Sequence, residues 1–136
     1  SFKVELLKGV HNFTATTGNT FKIALYDSDA TLGAGTTAFT TSEEITNTSG
    51  TAYTSGGATL TSVTPVADST TAVCDFADVS FSSASFTANG ALIYNSSASN
   101  VAVCAIAFGS DKTATNGTFT IQFPTADATN AIIRLA

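Results

Sequence analysis

Hydrophobic and polar residues alternate with a period of two over much of this chain, which is the signature of half-buried β-strands. The pattern is clearest where Phe21, Ile23 and Leu25 fall on one face and Lys22, Ala24 and Tyr26 on the other. Residues 10–16 and 20–26 flank Thr17-Gly18-Asn19, a turn of the kind that joins a hairpin. Further strands are predicted at 58–66, ending by Pro65, and at 71–77, where Ala72, Cys74 and Phe76 oppose Thr71, Val73 and Asp75. Residues 85–95 form a longer strand. Asn89-Gly90 within it predicts a bulge and not a turn, because the strand pattern continues on both sides. Residues 101–108 set Cys104, Ile106 and Phe108 on one face. The 111–117 stretch reads as a turn region, 118–123 aligns Phe119, Ile121 and Phe123, and 130–135 closes the chain. About eight strands with short Gly, Asn, Ser and Thr loops predict an all-β, single-domain sandwich or jelly roll, with strand order left open.

Two segments depart from that rhythm. In residues 1–9, Phe2, Val4 and Leu6 alternate as in a strand, yet Phe2, Leu6 and Leu7 also fit a helical stripe capped by Gly9. The segment is read as an N-terminal arm or short helix that docks on something, ahead of a β domain over 10–136. The second departure is the weakly patterned stretch from Asp27 to Gly57, which holds five of the glycines. Its one helical candidate is Ser42-Glu43-Glu44-Ile45, with carboxylates where a helix N-terminus favours them. A loop of that length within a compact domain commonly makes contacts.

Composition narrows the function classes. The 136 residues suit one domain, and a chain of this size buries enough surface to fold without metal or disulfide staples. Only 11% of residues are charged, against about 25% in an average globular protein. Thr, Ser and Ala dominate, Phe is the main aromatic, and the usual builders of exposed helix faces are scarce. The net charge is −5, and Lys3, Lys8, Lys22, Lys112 and Arg134 are scattered. That spacing argues against a nucleic-acid partner, which needs concentrated positive charge to displace counterions. No apolar run reaches the length of a membrane span, and no basic-then-apolar leader pattern opens the sequence, so no membrane role is expected.

Candidate chemistry is sparse. Cys74 and Cys104 lie mid-strand and are expected to be buried apolar side chains; a disulfide is the less favoured alternative. His11 is the sole histidine, no Gly-x-Ser-x-Gly elbow exists, and a structural hydrogen-bonding role for His11 is expected. Asp27-Ser28-Asp29 opens like a calcium loop, but Leu32 and Ala38 stand where the glycine and the bidentate glutamate would be needed, so a solvated turn is expected. Gly33-Ala34-Gly35 lacks the third glycine and following helix of a nucleotide fingerprint. Glu43-Glu44 reads as a solvated helix start and not a catalytic pair. Sequons at Asn12, Asn47, Asn95 and Asn116 are no more than so Asn- and Thr-rich a chain produces by chance. The expectation is therefore a non-enzymatic protein with no catalytic, cofactor-binding or metal-binding residues.

Several segments taken together have a familiar look: Phe2 to Phe13 leading into Thr20 to Tyr26, then Gly50 to Gly57, Gly90-Ala91-Leu92-Ile93-Tyr94-Asn95, and the ending from Phe119 to Ala136. The combination resembles small virion proteins of tailed bacteriophages and spans nearly the whole chain. Within that group the favoured reading, by analogy of size and all-β class, is a head decoration, or cement, protein. The resemblance implies a structural protein on the capsid surface of a virion assembled in the host cytoplasm. It would bind the major capsid protein and act as a dimer or trimer. Phe2, Val4, Leu6 and Leu7 in the arm, and the 27–57 loop, would be contact elements. The alternatives are a tail or baseplate component, or a host-binding adhesin with Tyr26, Tyr53 and Tyr94 as its recognition surface. A further alternative is a self-assembling filament or surface-layer subunit.

Overall fold

Phe21, Ile23 and Leu25 point from the first strand into one continuous core shared by two antiparallel sheets. The structure is a computed structural model, and it describes residues 1–46 and 52–136. The chain opens with helix α1 (Phe2–Leu7). Among the described residues seven strands follow: β1 (Phe21–Tyr26), β2 (Ala58–Thr59), β3 (Ser62–Asp68), β4 (Thr71–Phe76), β5 (Val79–Asn95), β6 (Val101–Ile121) and β7 (Ile133–Leu135). The larger sheet has the order β2-β1-β5-β6 and the smaller one β3-β4-β7. The molecule is an all-β sandwich, as the alternation predicts.

Aromatic rings lock the two sheets together. Phe21 of β1 meets Phe76 of β4 with ring centroids 5.7 Å apart, and Phe13 stacks on Phe21 at 4.4 Å. Burying rings of this size supplies much of the non-directional drive for the fold. β1 is buried on both faces. Its inner residues enter the main core, while Ala24 and Tyr26 join Leu92, Tyr94 and Ala102 in a second cluster roofed by Ala30, Leu32 and Phe39. The loop after β1 thus forms a third layer over the outer face of the larger sheet.

The boundaries differ from the predicted ones in ways that have physical causes. Residues 10–16 are not a strand. Asn19 N–H donates to the Asn12 carbonyl at 2.7 Å, and Asn12 N–H donates to Asn19 Oδ1 at 2.7 Å, so an asparagine side chain replaces ladder bonds around the Thr17-Gly18 turn. The 58–66 run is two strands, because the chain leaves the larger sheet after Thr59 and enters the smaller one at Ser62. Pro65 lies inside β3, at the register break between Val63 and Val66 on a sheet edge, where a missing N–H costs little.

The predicted strands at 85–95, 101–108 and 118–123 are parts of one long hairpin. Residues 111–117 are not a turn but the middle of β6, paired with β5 through Lys112–Ala88 and Thr113–Thr87. The bulge expected at Asn89-Gly90 is present as a register shift between Ala88 and Gly90. The last strand is shorter than predicted, since Asp127 accepts from the N–H groups of Thr129 and Asn130 and turns the chain before Ile133.

Candidate functional site

The N-terminal helix is short and two-faced. Phe2 and Leu6 pack against the main core, whereas Val4 is 55% and Leu7 90% exposed. The four arm residues are therefore split between an anchor and an outward apolar pair. The anchor is held from beneath by His11. Its ring lies 5.1 Å from that of Phe2, and its Nε2 is 3.3 Å from Glu5 Oε2 on α1. Nδ1 of the same ring lies 3.2 Å from the Asn95 amide nitrogen. With Nδ1 accepting there, Nε2 carries the hydrogen and donates to Glu5.

Asn95 is the fixed point of this latch. It ends β5 with no exposed surface. Its amide N–H groups are divided among the Val10 carbonyl at 3.2 Å, His11 Nδ1 and Asn19 Oδ1 at 3.1 Å, and its Oδ1 accepts from Ser97 N–H at 3.1 Å. Pattern reading missed Asn95. The signal available was a polar residue directly after the apolar run Ala91 to Tyr94, before a Ser-rich turn. Its burial also closes the Asn95 sequon to glycosylation, while the Asn47 sequon lies outside the described residues.

A second polar cluster closes the loop over β1. The predicted helix start at Ser42 to Ile45 is instead a turn followed by a bridge between Glu44 and Tyr26. Ile45 N–H donates to the Leu25 carbonyl at 3.0 Å, and Asp27 N–H to the Glu43 carbonyl at 3.1 Å. The backbone there extends the outer edge of β1 beyond the reach of β2, and this pairing overrides any local helical preference. Glu44 is half-buried and caged by hydrogen-bond donors, not left free in solvent. Its carboxylate accepts from the Tyr53 hydroxyl at 2.7 Å, the Ser55 hydroxyl at 2.7 Å and the Gly56 N–H at 2.6 Å.

The three tyrosines converge on this cluster, but from inside. Tyr26 is fully buried, and Tyr53 and Tyr94 nearly so. Tyr26 donates to the Thr40 carbonyl at 2.6 Å and Tyr94 to the Gly56 carbonyl at 2.7 Å. Burial pushes the Tyr26 hydroxyl up to about 12, with the Glu44 charge adding to the effect. Tyr53 is raised further, first by burial and then by its bond to Glu44, and Tyr94 is raised by burial and the same charge. These rings are structural pins, which corrects their expected place on a recognition surface: stacked on Phe39 or packed in the core, their faces are not open to a sugar.

Two further features lie on the surface. Asp27, Asp29 and Glu43 bring three carboxylates within 4.8 Å of one another, so Glu43 joins the two aspartates that sequence spacing had set in a solvated turn. They offer hard oxygen donors of the kind a divalent cation takes. The other feature is a groove of about 670 Å³ along the distal half of β6, lined by Ile106, Phe108, Phe119, Phe123, Pro124 and Ile132 among others. Cys74 and Cys104 are free thiols within or against the core. Burial pushes the first up to about 12 and the second up to about 11, which keeps both as inert thiols near neutral pH. Among the described residues, no helix is long and apolar enough to cross a membrane.

No family model, no curated protein and no solved structure matches this chain.

Proposed function

We propose that this chain is a non-enzymatic structural protein of a phage particle, a decoration protein that binds the major capsid protein on the head surface. The observation that supports the reading is the division of α1. Phe2 and Leu6 hold the helix to the sandwich, while Val4 and Leu7 present apolar groups to solvent. Apolar side chains displayed on a short terminal element gain stability when a neighbouring subunit covers them. The low charge of the remaining surface suits lattice contacts, where few long charged side chains need ordering or desolvation.

The reading is tested by copy number per particle, measured by quantitative mass spectrometry on purified virions with heads and tails separated. Hundreds of copies in the head fraction, in fixed ratio to the shell protein, are expected. A handful in the tail fraction would replace this reading with a tail or adhesin role. Double substitution Val4→Glu and Leu7→Glu leaves the anchor residues in place and is expected to weaken capsid binding with the fold unchanged. Unaltered binding by that variant would remove α1 as the contact element.

A further inference from the structure

A strand at the edge of a sheet carries a row of unpaired backbone groups that invites another strand unless something blocks it. Among the described residues, three of the four sheet edges are blocked. β2 is two residues long and β7 three. β3 carries Pro65 and a register break, and its Thr64 hydroxyl accepts the Ala15 N–H at 3.1 Å. β6 is different. Its first residues are strapped, with Ala102 N–H donating to the Thr37 carbonyl at 2.8 Å and Phe39 N–H to the Asn100 carbonyl at 2.9 Å. From Ile106 to Ile121, no described segment pairs with its outer side.

The composition of that strand leaves it open to association. Asp111 and Lys112 are the only charged residues between Val79 and Ile121, and that whole stretch lacks proline. The edge is therefore neutral on a chain whose net charge is −5, so two copies can approach there with the least repulsion. Gly109 and Asn116, both at positive φ, interrupt the strand at two points and leave Ser110–Thr115 as the segment between them. The groove lined by Phe108, Phe119 and Phe123 runs beside the same length of β6 and offers apolar surface to bury. A standard interface covers about 800 Å² per partner, roughly a tenth of the 7161 Å² this chain exposes. The unpaired edge of β6 and the groove beside it are the surface available to supply it.

We propose that two copies of this chain pair antiparallel through the outer edge of β6, across a two-fold axis near Thr113, so that their larger sheets become one continuous sheet. An antiparallel pair related by a two-fold is self-complementary, since each strand offers the other the same pattern of N–H and C=O groups. With the axis at Thr113, Asp111 of one copy faces Thr115 of the other and Lys112 faces Ala114, so no like charges meet. This pairing rests on the edge itself and does not depend on where the protein resides.

The experiment is sedimentation equilibrium on the purified chain, alongside Thr113→Lys at the axis and Thr70→Lys on the β3–β4 turn, each checked for an unchanged circular dichroism spectrum. The native chain and the Thr70 variant are expected at twice the 13.8 kDa chain mass. Thr113→Lys is expected to weaken the dimer about tenfold or more, because like charges then face each other across the pair. Hydrogen exchange in the native dimer is expected to protect the 110–115 amides. A native monomer, trimer or open polymer would overturn the proposal. So would a Thr113→Lys variant that dimerises normally, or 110–115 amides that exchange as freely in the dimer as in the monomer.

Discussion

The Tyr53 hydroxyl donates to Glu44 Oε1 at 2.7 Å and accepts the Leu25 backbone N–H at 2.9 Å. One phenol thus joins the loop after β1 to the centre of the strand it covers, and does so from within the core. A buried donor left without a partner costs about 1–3 kcal/mol. Tyr53→Phe orphans the Leu25 N–H and removes one partner from Glu44, and it is expected to lower stability by about that amount. Tyr94→Phe removes a single bond to the Gly56 carbonyl and is expected to cost less, about 1 kcal/mol. Urea denaturation of both variants checks the order. Equal or reversed costs would mean that Glu44 and Tyr53 do not anchor the loop.

The same loop closes at Gly57, with φ at +71°. A Cβ at that position would collide with the Ile23 carbonyl of β1. Gly57→Ala is expected to destabilise by about 2 kcal/mol or more, since the left-handed penalty of about 1–2 kcal/mol adds to the clash. Gly33 and Gly35 have open space around the corresponding position and no positive φ, so Ala there is expected to be neutral or to stabilise by up to about 1 kcal/mol. Thermal melts of the three variants separate a glycine required by geometry from two that are not.

Asn95 links the end of β5 to the segment that follows α1, and its loss is expected to free the arm. Asn95→Leu keeps the approximate volume but leaves the Val10 carbonyl, His11 Nδ1 and the Ser97 N–H unpaired, at about 1–3 kcal/mol for each group that water cannot reach. Amide exchange over α1 is expected to rise in this variant more than exchange over β4, which lies in the other sheet. Uniform loss of protection would indicate that Asn95 supports the sandwich generally and not the arm.

Alkaline pH provides a separate test of the interior. Tyr26, Cys74 and Cys104 all titrate higher in the folded chain than their ordinary values of 10.0, 9.0 and 9.0, first because of burial. A group whose folded pKa is raised contributes stability that is fully present below its unfolded pKa and lost as pH rises through the folded one. Stability is therefore expected to hold up to about pH 9 and to fall between pH 9 and 12. Melting temperature against pH shows the fall. In a Cys74→Ala, Cys104→Ala variant, the decline is expected to start nearer pH 10, where tyrosine alone begins to ionise.

The all-β class and the inward faces of β1 and β6 were legible in the sequence because side-chain alternation in a strand is a local property. Phe21, Ile23 and Leu25 lie in the core for the same reason that they recur every second residue, and the Asn89-Gly90 bulge announced itself in the same way. The arm was legible as an element, though not its division into an anchor and an exposed pair. What the tertiary structure alone decided was the fate of residues whose partners lie far along the chain. Polar residues 111–117 look like a turn until β5 is seen to pair with them, and Glu44 looks solvated until Tyr53, Ser55 and Gly56 close around it. The three tyrosines are pins and not a surface because the loop from 27 to 46 folds back over the sheet, and no local pattern encodes that return. Periodicity tells which side a residue faces. Whether that side meets water is set by which distant segment covers it.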